Sequence, residues 1–382
     1  MAMRGARSSA SEFVTDGHPD KVCDQMADAI VDAAMEQDPK SRVAMEVTGG
    51  HGGVVVIGEM TTKAIFDVGE VCRKKYREIG HADALGVFTN IVRQSPDISQ
   101  GVDEGRGMDL EQGAGDQGIM TGYAVADGPM LMPLSHTLAR ALCVRMRELG
   151  TTGQLPWMRP DGKSIVVVNT EGLVTHVTLA AHHSSMVNGV EIRPDDPQSE
   201  KRVLEMIREE LTTHCVRETL RDRLVPDAWI VVNGTGKFVQ GGFEADAGTT
   251  GRKLAVDNYG PNIEIGGGAY SGKDPSKVDR SAAYFCRMVA KSIVAGGHAQ
   301  EALVKVGYAI GQSRPVYISV ETPLVPQCAS LEAKVREKFD FRPKAINEQL
   351  GLLTPKGWCY QDTAAMGHYG DARFPWEQVV EL

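Results

Sequence analysis

The sequence predicts an α+β protein whose sheets are each covered on one face by helices. Short apolar runs of strand character, separated by turns rich in glycine and asparagine, recur along the 382 residues. Segments with the apolar period of a helix lie between them. Because hairpins joined by helices recur at least three times without detectable sequence identity, we expect several domains of similar plan.

Composition argues against several classes of protein. The net charge of −9, with acidic and basic residues interspersed, argues against a nucleic-acid binder, whose contact surface would be basic. No apolar run approaches the length of a membrane-spanning helix, and the opening residues lack the apolar core of a signal peptide. The seven cysteines are scattered without a Cys-x-x-Cys pair, as in a reduced intracellular protein. We therefore expect a cytoplasmic protein that binds neither nucleic acid nor a membrane.

The first predicted helix brings polar residues together at its N-terminus. Apolar residues recur at helical spacing between Pro19 and Pro39. His18 and Asp20 therefore lie where free N–H groups and the helix dipole attract anions. In the alternative interpretation, Asp20 only complements the dipole and His18 only caps the helix.

A strand pair follows at 43–48 and 54–61, and a helix at 64–79. Each strand carries one acidic residue, Glu46 and Glu59 respectively. Such carboxylates usually face water on the polar side of a sheet. A carboxylate that faces inward needs a cation to offset the cost of its burial.

Residues 93–118 show no hydrophobic period and consist largely of glycine, aspartate, glutamine and serine. The segment is longer than an idle connection in a compact domain normally is. Its end, GAGDQG at 113–118, looks anchored, whereas 99–108 looks free. We interpret the segment as a lid over a binding site, with plain disorder as the alternative.

The remaining elements continue the alternation of helices and strands. Asp161 and Lys163 stand just before one of these strands, in a DGK sequence that most often forms only a turn. The predicted elements are a helix over 135–149, a hairpin that turns at 169–172, a helix over 199–220, a hairpin that turns at 233–236, a helix over 274–295, a strand pair over 302–310 and 316–321, and a helix over 339–353.

The stretch 241–280 has the composition of a polyphosphate site. Nine glycines lie within it, interleaved with lysine, arginine and aspartate. Glycine lets backbone N–H groups approach a ligand closely, and alternating charges can hold phosphate oxygens together with a divalent cation. A glycine-rich surface loop with solvated charges is the plainer alternative.

A phosphate loop is a rival interpretation of the same stretch. Residues 267–273 fit the first seven positions of G-x-x-x-x-G-K-[ST]. The eighth residue is Asp274, which cannot supply the hydroxyl ligand of magnesium, and Asp274 with Pro275 instead predicts the start of a helix. We therefore disfavour the phosphate loop.

Six motifs together resemble those of the S-adenosylmethionine synthetase (methionine adenosyltransferase) family. The resemblance extends over 11–376, and the number, order and spacing of the motifs argue against chance. The motifs are GHPDK at 17–21, QSPDI at 94–98, GAGDQG at 113–118, RPDGKS at 159–164, TGRK at 250–253 and GGGAYSGKDPSKVDRSAAY at 266–284.

The resemblance implies a fold, an assembly and a reaction. The fold has three similar α+β domains related by a pseudo-threefold axis, here 8–100, 113–239 and 240–376, with a mobile loop at 101–112. Family members pair sheet to sheet as dimers or dimers of dimers, with active sites between subunits. The sulfur of L-methionine attacks C5′ of ATP and displaces triphosphate, which is then hydrolysed to pyrophosphate and phosphate. Mg²⁺, two ions per site, is required, and K⁺ commonly activates.

Matched position by position, the resemblance also implies roles for single residues. The catalytic residues would be His18, which hydrogen-bonds the oxygen leaving C5′, and Lys163, Arg252 and Lys273. ATP would contact His18, Asp161, Lys163, Lys237, Phe238, Asp246, Arg252, Lys253, Ala269 and Lys273. Methionine would contact Glu59, Gln94, Asp246, Lys277 and Ile310, while Asp20 and Asp279 would hold Mg²⁺ and Glu46 would hold K⁺.

The sequence departs from the family pattern in places, and two other functions compete. Asp16 replaces a glutamate, Lys237 replaces an arginine and so lacks its planar fork, and the loop segment differs in length and composition from the commoner short form. A phosphoryl-transfer enzyme using the glycine-rich stretch would release ADP instead of a sulfonium product. A catalytically silent homologue that regulates a partner is disfavoured because every matched charged position is filled.

Overall fold

Strands and helices alternate along the chain in this computed structural model, which describes residues 8–82, 84–95, 111–323 and 328–382. The strands are β1 Ser9–Val14, β2 Arg42–Gly50, β3 Gly53–Thr61, β4 Gly86–Val92, β5 Gly118–Val125, β6 Met158–Val168, β7 Val174–His183, β8 Met186–Val187, β9 Val190–Glu191, β10 Leu224–Val232, β11 Gly248–Thr249, β12 Glu301–Tyr308 and β13 Tyr317–Glu321. The helices are α1 Pro19–Gln37, α2 Val68–Ile79, α3 Leu134–Thr151, α4 Pro197–Glu210, α5 Leu254–Asp257, α6 Val278–Ala295, α7 Ala329–Lys338, α8 Pro343–Leu350 and α9 Tyr360–Ala365. The free part of the predicted lid lies outside the described residues.

Three sheets organise the described part of the chain, in the orders β11-β2-β3-β4, β1-β6-β7-β10 and β13-β12-β5. Each sheet contains one strand from a distant part of the sequence. The predicted N-terminal domain (8–100) supplies β1 to the central sheet, β1-β6-β7-β10. The predicted central domain (113–239) supplies β5 to the C-terminal sheet, β13-β12-β5, and the predicted C-terminal domain (240–376) supplies β11 to the N-terminal sheet, β11-β2-β3-β4. The three predicted domains are therefore interlocked.

The helix α1 confirms the period predicted between Pro19 and Pro39. Val22, Met26 and Ile30 have no exposed surface and lie in the main hydrophobic core. The helix packs against β2 and β11 on the sheet side and against α2 and α9 elsewhere. Because it is covered on several sides, charged residues on α1 are buried and need partners from other elements.

The predicted hairpin that turns at 233–236 is wrong. The strand β10 pairs in parallel with β7, and the next strand along the chain, β11, pairs with β2 instead of with β10. The Asn233 side chain instead bonds both the N–H and the carbonyl of Ala181 on β7. After the turn, the Phe238 N–H donates to the His183 imidazole at 2.9 Å, so the chain crosses the end of β7 rather than extending β10.

The helix predicted with Asp274 as its N-cap begins three residues later, with Lys277 as its N-cap and Val278 as its first residue. Asp274 instead attaches this segment to β2: its carboxylate accepts the Val43 N–H at 2.7 Å, and its own N–H donates to the Val43 carbonyl. These bonds hold the neighbouring residue Lys273 in an antiparallel bridge with Ala44 on β2. The glycine-rich stretch is thus attached to the N-terminal sheet before its helix starts.

Other predictions are confirmed with shifted ends. The hairpin that turns at 169–172 joins β6 to β7, where the Asn169 side chain accepts the N–H groups of Glu171 and Leu173. The helix predicted over 199–220 runs as α4 into a π-helical segment, Leu211–Arg217, and a last turn. No helix in the described ranges is long and apolar enough to cross a bilayer.

Candidate active site

The N-terminus of α1 holds a buried, neutral histidine. His18 caps the helix, and its Nδ1 accepts the Asp20 N–H at 3.2 Å. Burial lowers the pKa of His18 to about 3, and the charges of Lys253 and Lys163 add to the effect. Since Nδ1 accepts a hydrogen bond, the proton of the neutral ring lies on Nε2. His18 can therefore donate one hydrogen bond outward without carrying a charge.

Asp20, beside this histidine, contacts two basic residues from the C-terminal part of the chain, Arg252 and Lys253. Its Oδ1 accepts the Thr249 N–H at 2.9 Å, and its Oδ2 accepts a hydrogen bond from Lys253 Nζ. Arg252 Nη1 lies 3.8 Å from Oδ1. Burial raises the pKa of Asp20, but the bond from Lys253 and its charge outweigh burial and the pKa falls below its usual value.

The strand β6 completes this first group. The sequence predicted Asp161 and Lys163 in a turn before the strand, but both lie within it, where Lys163 is opposite Val14 of β1. A Cβ on Gly17 would lie 2.3 Å from Pro160 Cβ, so only glycine lets the His18 loop pack against the segment that carries Asp161 and Lys163. We call His18, Asp20, Lys163, Arg252 and Lys253 the helix-terminal cluster.

Asp161 is a buried carboxylate behind this cluster. Its Oδ2 accepts the Gly242 N–H at 2.9 Å. Burial raises the pKa of Asp161 to about 6, the Lys163 charge opposes this shift, and the Asp246 charge adds to it. Asp246 is itself exposed and close enough to interact electrostatically with Asp161.

A second group of predicted residues lies along β2 and the glycine-rich segment. Lys273 donates to Asp279 Oδ2 at 2.6 Å, and the Gly268 N–H donates to Asp279 Oδ1 at 2.9 Å. Glu46 lies close enough to Lys273 for the lysine charge to oppose the rise that partial burial causes in the pKa of Glu46. In the register of β2 and β3, Glu59 lies opposite Ala44, the same residue that forms the β-bridge with Lys273.

We call Glu46, Glu59, Lys273, Lys277 and Asp279 the sheet-edge cluster. Lys277, at the start of α6, is paired with Asp274. Two further methionine candidates lie at the ends of strands. The Gln94 N–H donates to Thr61 Oγ1 at 3.2 Å beyond β4, and Ile310 bridges to Ala114 beyond β12 with 49% of its surface exposed.

The other predicted ATP contacts, Ala269, Phe238 and Lys237, are placed apart from one another. Ala269 packs against Gly251, where a Cβ would lie only 2.6 Å from the Ala269 methyl group, so the two loops touch. The Phe238 ring lies 5.3 Å from the His182 ring. Lys237 is paired with Glu200 at 3.1 Å and more than half exposed, and it lies in neither cluster.

Comparison with known proteins decides the family. The family model for S-adenosylmethionine synthetase, N-terminal domain, matches residues 7–96, the model for its central domain matches 111–238, and the model for its C-terminal domain matches 240–378. The chain belongs to the S-adenosylmethionine synthetase family. This membership confirms the predicted family and the predicted fold class of three α+β domains.

Curated relatives of the same family match the chain from end to end. The S-adenosylmethionine synthase of Thermus thermophilus is 44% identical over 402 residues, covering 99% of this chain and 97% of the relative. That of Mycolicibacterium gilvum is 45% identical over 408 residues, covering 100% and 98%. That of Sorangium cellulosum is 44% identical over 383 residues, covering 97% and 87%.

Residues beneath the helix-terminal cluster were not predicted from the sequence. Lys21, from the GHPDK motif, is fully buried and paired with both Asp24 and Asp257. Burial lowers the pKa of Lys21, but the two carboxylates outweigh burial and raise it above its usual value. The available signal was the spacing of Lys21 and Asp24, which lie one turn apart on the predicted helix.

The carboxylates fit a metal ion that is shared with a phosphate ligand. Within the described ranges, no group of three or more His, Cys, Asp or Glu side chains forms a metal cage. Asp20 and Asp279 each face a lysine and keep lone pairs for further contacts. One or two carboxylates plus substrate phosphates is the usual ligand set of Mg²⁺ in nucleotide enzymes.

Proposed function

We propose that this protein is a methionine adenosyltransferase that forms S-adenosylmethionine from ATP and L-methionine. The family match confirms the predicted transferase activity. The observation that supports this proposal most directly is a neutral histidine surrounded by fixed cations at a helix N-terminus. This arrangement suits a reaction whose difficulty lies in the leaving group.

The chemistry explains why cations outnumber bases in the helix-terminal cluster. A thioether sulfur has no proton to lose, so its attack on C5′ requires no general base. The departing triphosphate develops negative charge, which is stabilised by positive groups already fixed in place. Lys163, Arg252 and Lys253 would supply this charge, and the His18 Nε2–H would hydrogen-bond the oxygen that leaves C5′.

The later cleavage of triphosphate would use the same cations. Lys163 and Arg252 would polarise the phosphate that accepts water, and Lys273 would hold the far end of the chain of phosphates. Asp161, Phe238, Lys237 and Ala269 are proposed contacts of the nucleotide on the basis of matched positions, although Lys237 is engaged with Glu200.

The methionine contacts combine charges that suit an amino acid. Glu59 and Asp246 would attract the ammonium group, and Lys277 would attract the carboxylate. Gln94 would add a hydrogen bond, and the exposed side chain of Ile310 would form part of the wall around the thioether methyl group.

Metal ions are part of the proposed function, since the family uses them. Asp20 and Asp279 would hold Mg²⁺, with two ions per site, and Glu46 would hold K⁺. Bound Mg²⁺ would supply charge neutralisation on the phosphate oxygens. Each of the three carboxylates lies in one of the two clusters, beside cations that would face the same phosphates.

Self-association as a dimer or a dimer of dimers is supported by the open face of the N-terminal sheet. Val55, Ile57 and Phe88 are 37%, 45% and 65% exposed on that face. Glu46 and Glu59 lie on the same face, because the register places Glu46 opposite Ile57 and side chains alternate along each strand. A second copy on this face would cover residues of the sheet-edge cluster, as expected for a site shared between subunits.

The rival phosphoryl-transfer function finds little support in the geometry. A phosphate loop leads directly into a helix N-terminus that binds the phosphates. Here the helix α6 begins only at Val278. Asp274 does not lead into its N-terminus, because its carboxylate is hydrogen-bonded to the Val43 N–H of the N-terminal sheet.

The predicted cytoplasmic location remains a prediction.

A product assay tests the proposal. The protein is incubated with ATP, Mg²⁺ and L-methionine, with and without K⁺, and products are identified by mass spectrometry and phosphorus NMR. We expect a sulfonium product, pyrophosphate and phosphate in equal amounts. Formation of ADP that does not depend on methionine, without a sulfonium product, would contradict the proposal and support the rival function.

A further inference from the structure

A line of four aspartates runs along one face of α1. Asp20, Asp24, Asp28 and Asp32 are spaced four residues apart, so their side chains lie over one another on successive turns. Like charges at this spacing destabilise an isolated helix. Asp24 and Asp28 have no exposed surface, so water does not relieve the repulsion. The helix therefore depends on partners from other parts of the chain.

Side-chain cations pair with three of these carboxylates, Lys253 with Asp20, Lys21 with Asp24 and Arg280 with Asp28. All four carboxylates also accept backbone N–H groups of the C-terminal part of the chain, at distances between 2.8 and 3.0 Å. These backbone bonds run from Thr249 to Asp20, from Gly251 to Asp24, from Gly272 to Asp28, and from Tyr360 and Gln361 to Asp32.

The bond from Gly251 to Asp24 lies next to two of the proposed triphosphate cations. Gly251 directly precedes Arg252 and Lys253 and has a φ of 79°, a conformation that few other residues adopt. On its other side the turn is in contact with Ala269. The turn is thus fixed between α1 and the glycine-rich loop, and the carboxylate of Asp24 sets its distance from α1.

We propose that Asp24 is a positioning residue, which holds the Gly251 turn so that Arg252 and Lys253 point at the triphosphate. Asp24 touches no substrate in this proposal and acts only through the backbone. Its second oxygen accepts a hydrogen bond from Lys21 Nζ at 2.9 Å, which fixes the carboxylate itself. The proposal rests on the proposed function, because it assigns these cations to triphosphate.

Two substitutions separate the backbone bond from the charge. Asp24→Ala removes the acceptor of the Gly251 N–H, whereas Asp24→Asn keeps an oxygen at that position. Both remove the charge next to Lys21, and both leave Lys21 paired with Asp257. A difference between the two variants therefore reports on the bond to Gly251.

Binding of inorganic tripolyphosphate to the full-length protein, measured by calorimetry, is the first readout. We expect Asp24→Ala to bind tripolyphosphate about tenfold more weakly than the wild type. Binding would then also have to order the Gly251 turn, which a hydrogen bond to a charged group stabilises by about that factor. Asp24→Asn should stay within about threefold, since its amide oxygen still accepts the Gly251 N–H. Tripolyphosphatase kcat should follow the same order, while KM for methionine in the full reaction changes little.

Asp32→Ala is the matched control. It lies on the same helix face and loses two backbone bonds, but their donors, Tyr360 and Gln361, belong to α9 and precede no proposed cation. We expect it to lose thermal stability and keep wild-type affinity for tripolyphosphate. Should Asp24→Ala not fold, Asp24→Ser replaces it, because a helical serine bonds the carbonyl one turn back and does not reach Gly251.

Two results overturn the inference: wild-type tripolyphosphate affinity in Asp24→Ala or its serine replacement, or an equal loss in Asp32→Ala. The proposed function fails separately. A wild-type protein that binds tripolyphosphate in an Asp24-dependent way but forms no sulfonium product would contradict the reaction and leave the positioning role intact.

Discussion

At the scale of single residues, the candidate site combines one neutral hydrogen-bond donor with several fixed cations. His18 is kept uncharged by burial and by neighbouring lysines, while Asp20 holds Lys253 close to Arg252. Stabilisation of developing charge by preorganised groups is usually the largest single contribution to catalysis.

Lys163→Met and Arg252→Leu should slow turnover while ATP binding largely persists. Each change removes one positive group that acts on developing charge, so we expect kcat to fall about 10²- to 10³-fold. The Kd for ATP, measured by equilibrium binding, should change much less because the remaining cations still hold the phosphates. Lys201→Met, an exposed lysine of α4 that faces Glu205, is the control. Unchanged kcat in both site variants would remove their assigned roles.

The pKa of His18 gives a prediction for stability against pH. The folded imidazole stays neutral down to about pH 3, whereas the unfolded imidazole takes up a proton near pH 6.5. The unfolded state then binds more protons, so stability falls as pH drops through this range. His18→Asn keeps an N-cap acceptor and removes the titration. The melting temperature of the wild type should therefore fall more steeply than that of His18→Asn between pH 6.5 and 4.5, and parallel curves would contradict this.

At the scale of elements, close contacts between backbones fix how strands lie on helices. Gly122 on β5 faces α6 so closely that a Cβ would lie 2.0 Å from the Cys286 carbonyl carbon. Neither element can move freely, because β5 is paired along its length with β12 and α6 has an almost fully buried surface. The contact therefore sets the position of α6, whose first turn carries Asp279.

Gly122→Ala should destabilise the protein strongly. Forcing a methyl group into a packed interior moves backbone on both sides and typically costs about 1–3 kcal/mol, sometimes more. The unfolding midpoint in urea or by heating would show the loss, together with weaker tripolyphosphate binding if α6 shifts. Gly53→Ala is the control, because the nearest atom to its Cβ is 3.8 Å away and its φ is ordinary. Equal midpoints for the two variants would show that the contact relaxes freely.

Elements with a strong local signal could be predicted, and those defined by distant partners could not. The period of α1 and the Asn169 turn between β6 and β7 are local, and the structure confirms both. The strands β1, β4 and β5 were not predicted, since β1 and β5 exist by pairing with strands far along the chain. The 233–236 turn was predicted as a hairpin because the sequence indicates a turn there but does not indicate that β10 pairs with β7.

The same limit applies to the candidate site. The charged motifs that resemble the family contain His18, Asp20 and the C-terminal cations, and the structure brings these together. Asp24 carries no such signal, because an acidic residue on a helix usually faces solvent. Its role depends on the Gly251 N–H, which folding brings from more than two hundred residues away.

At the scale of the whole molecule, the exchange of strands links the three predicted domains. Because β11 lies at the edge of the N-terminal sheet, the segment that carries Arg252 and Lys253 starts from a strand that is already paired with β2. The helix-terminal cluster is thus assembled from all three predicted domains within one chain. The open face of the N-terminal sheet, with its apolar residues and acidic neighbours, is left for contacts outside it.

Ile57→Asp combined with Phe88→Asp should convert the proposed dimer into monomers. These side chains are 45% and 65% exposed on the open face, and a charge buried there against a second copy would lack a partner. Light scattering should show the mass of one chain, and far-UV circular dichroism should show an unchanged fold. Adenosyl transfer should be lost, because the sheet-edge cluster of one subunit would no longer face the helix-terminal cluster of another. Ile65→Asp, an 88% exposed side chain outside the strands, should leave both mass and activity unchanged. A fully active monomer would place the whole site within one chain and contradict the shared-site proposal.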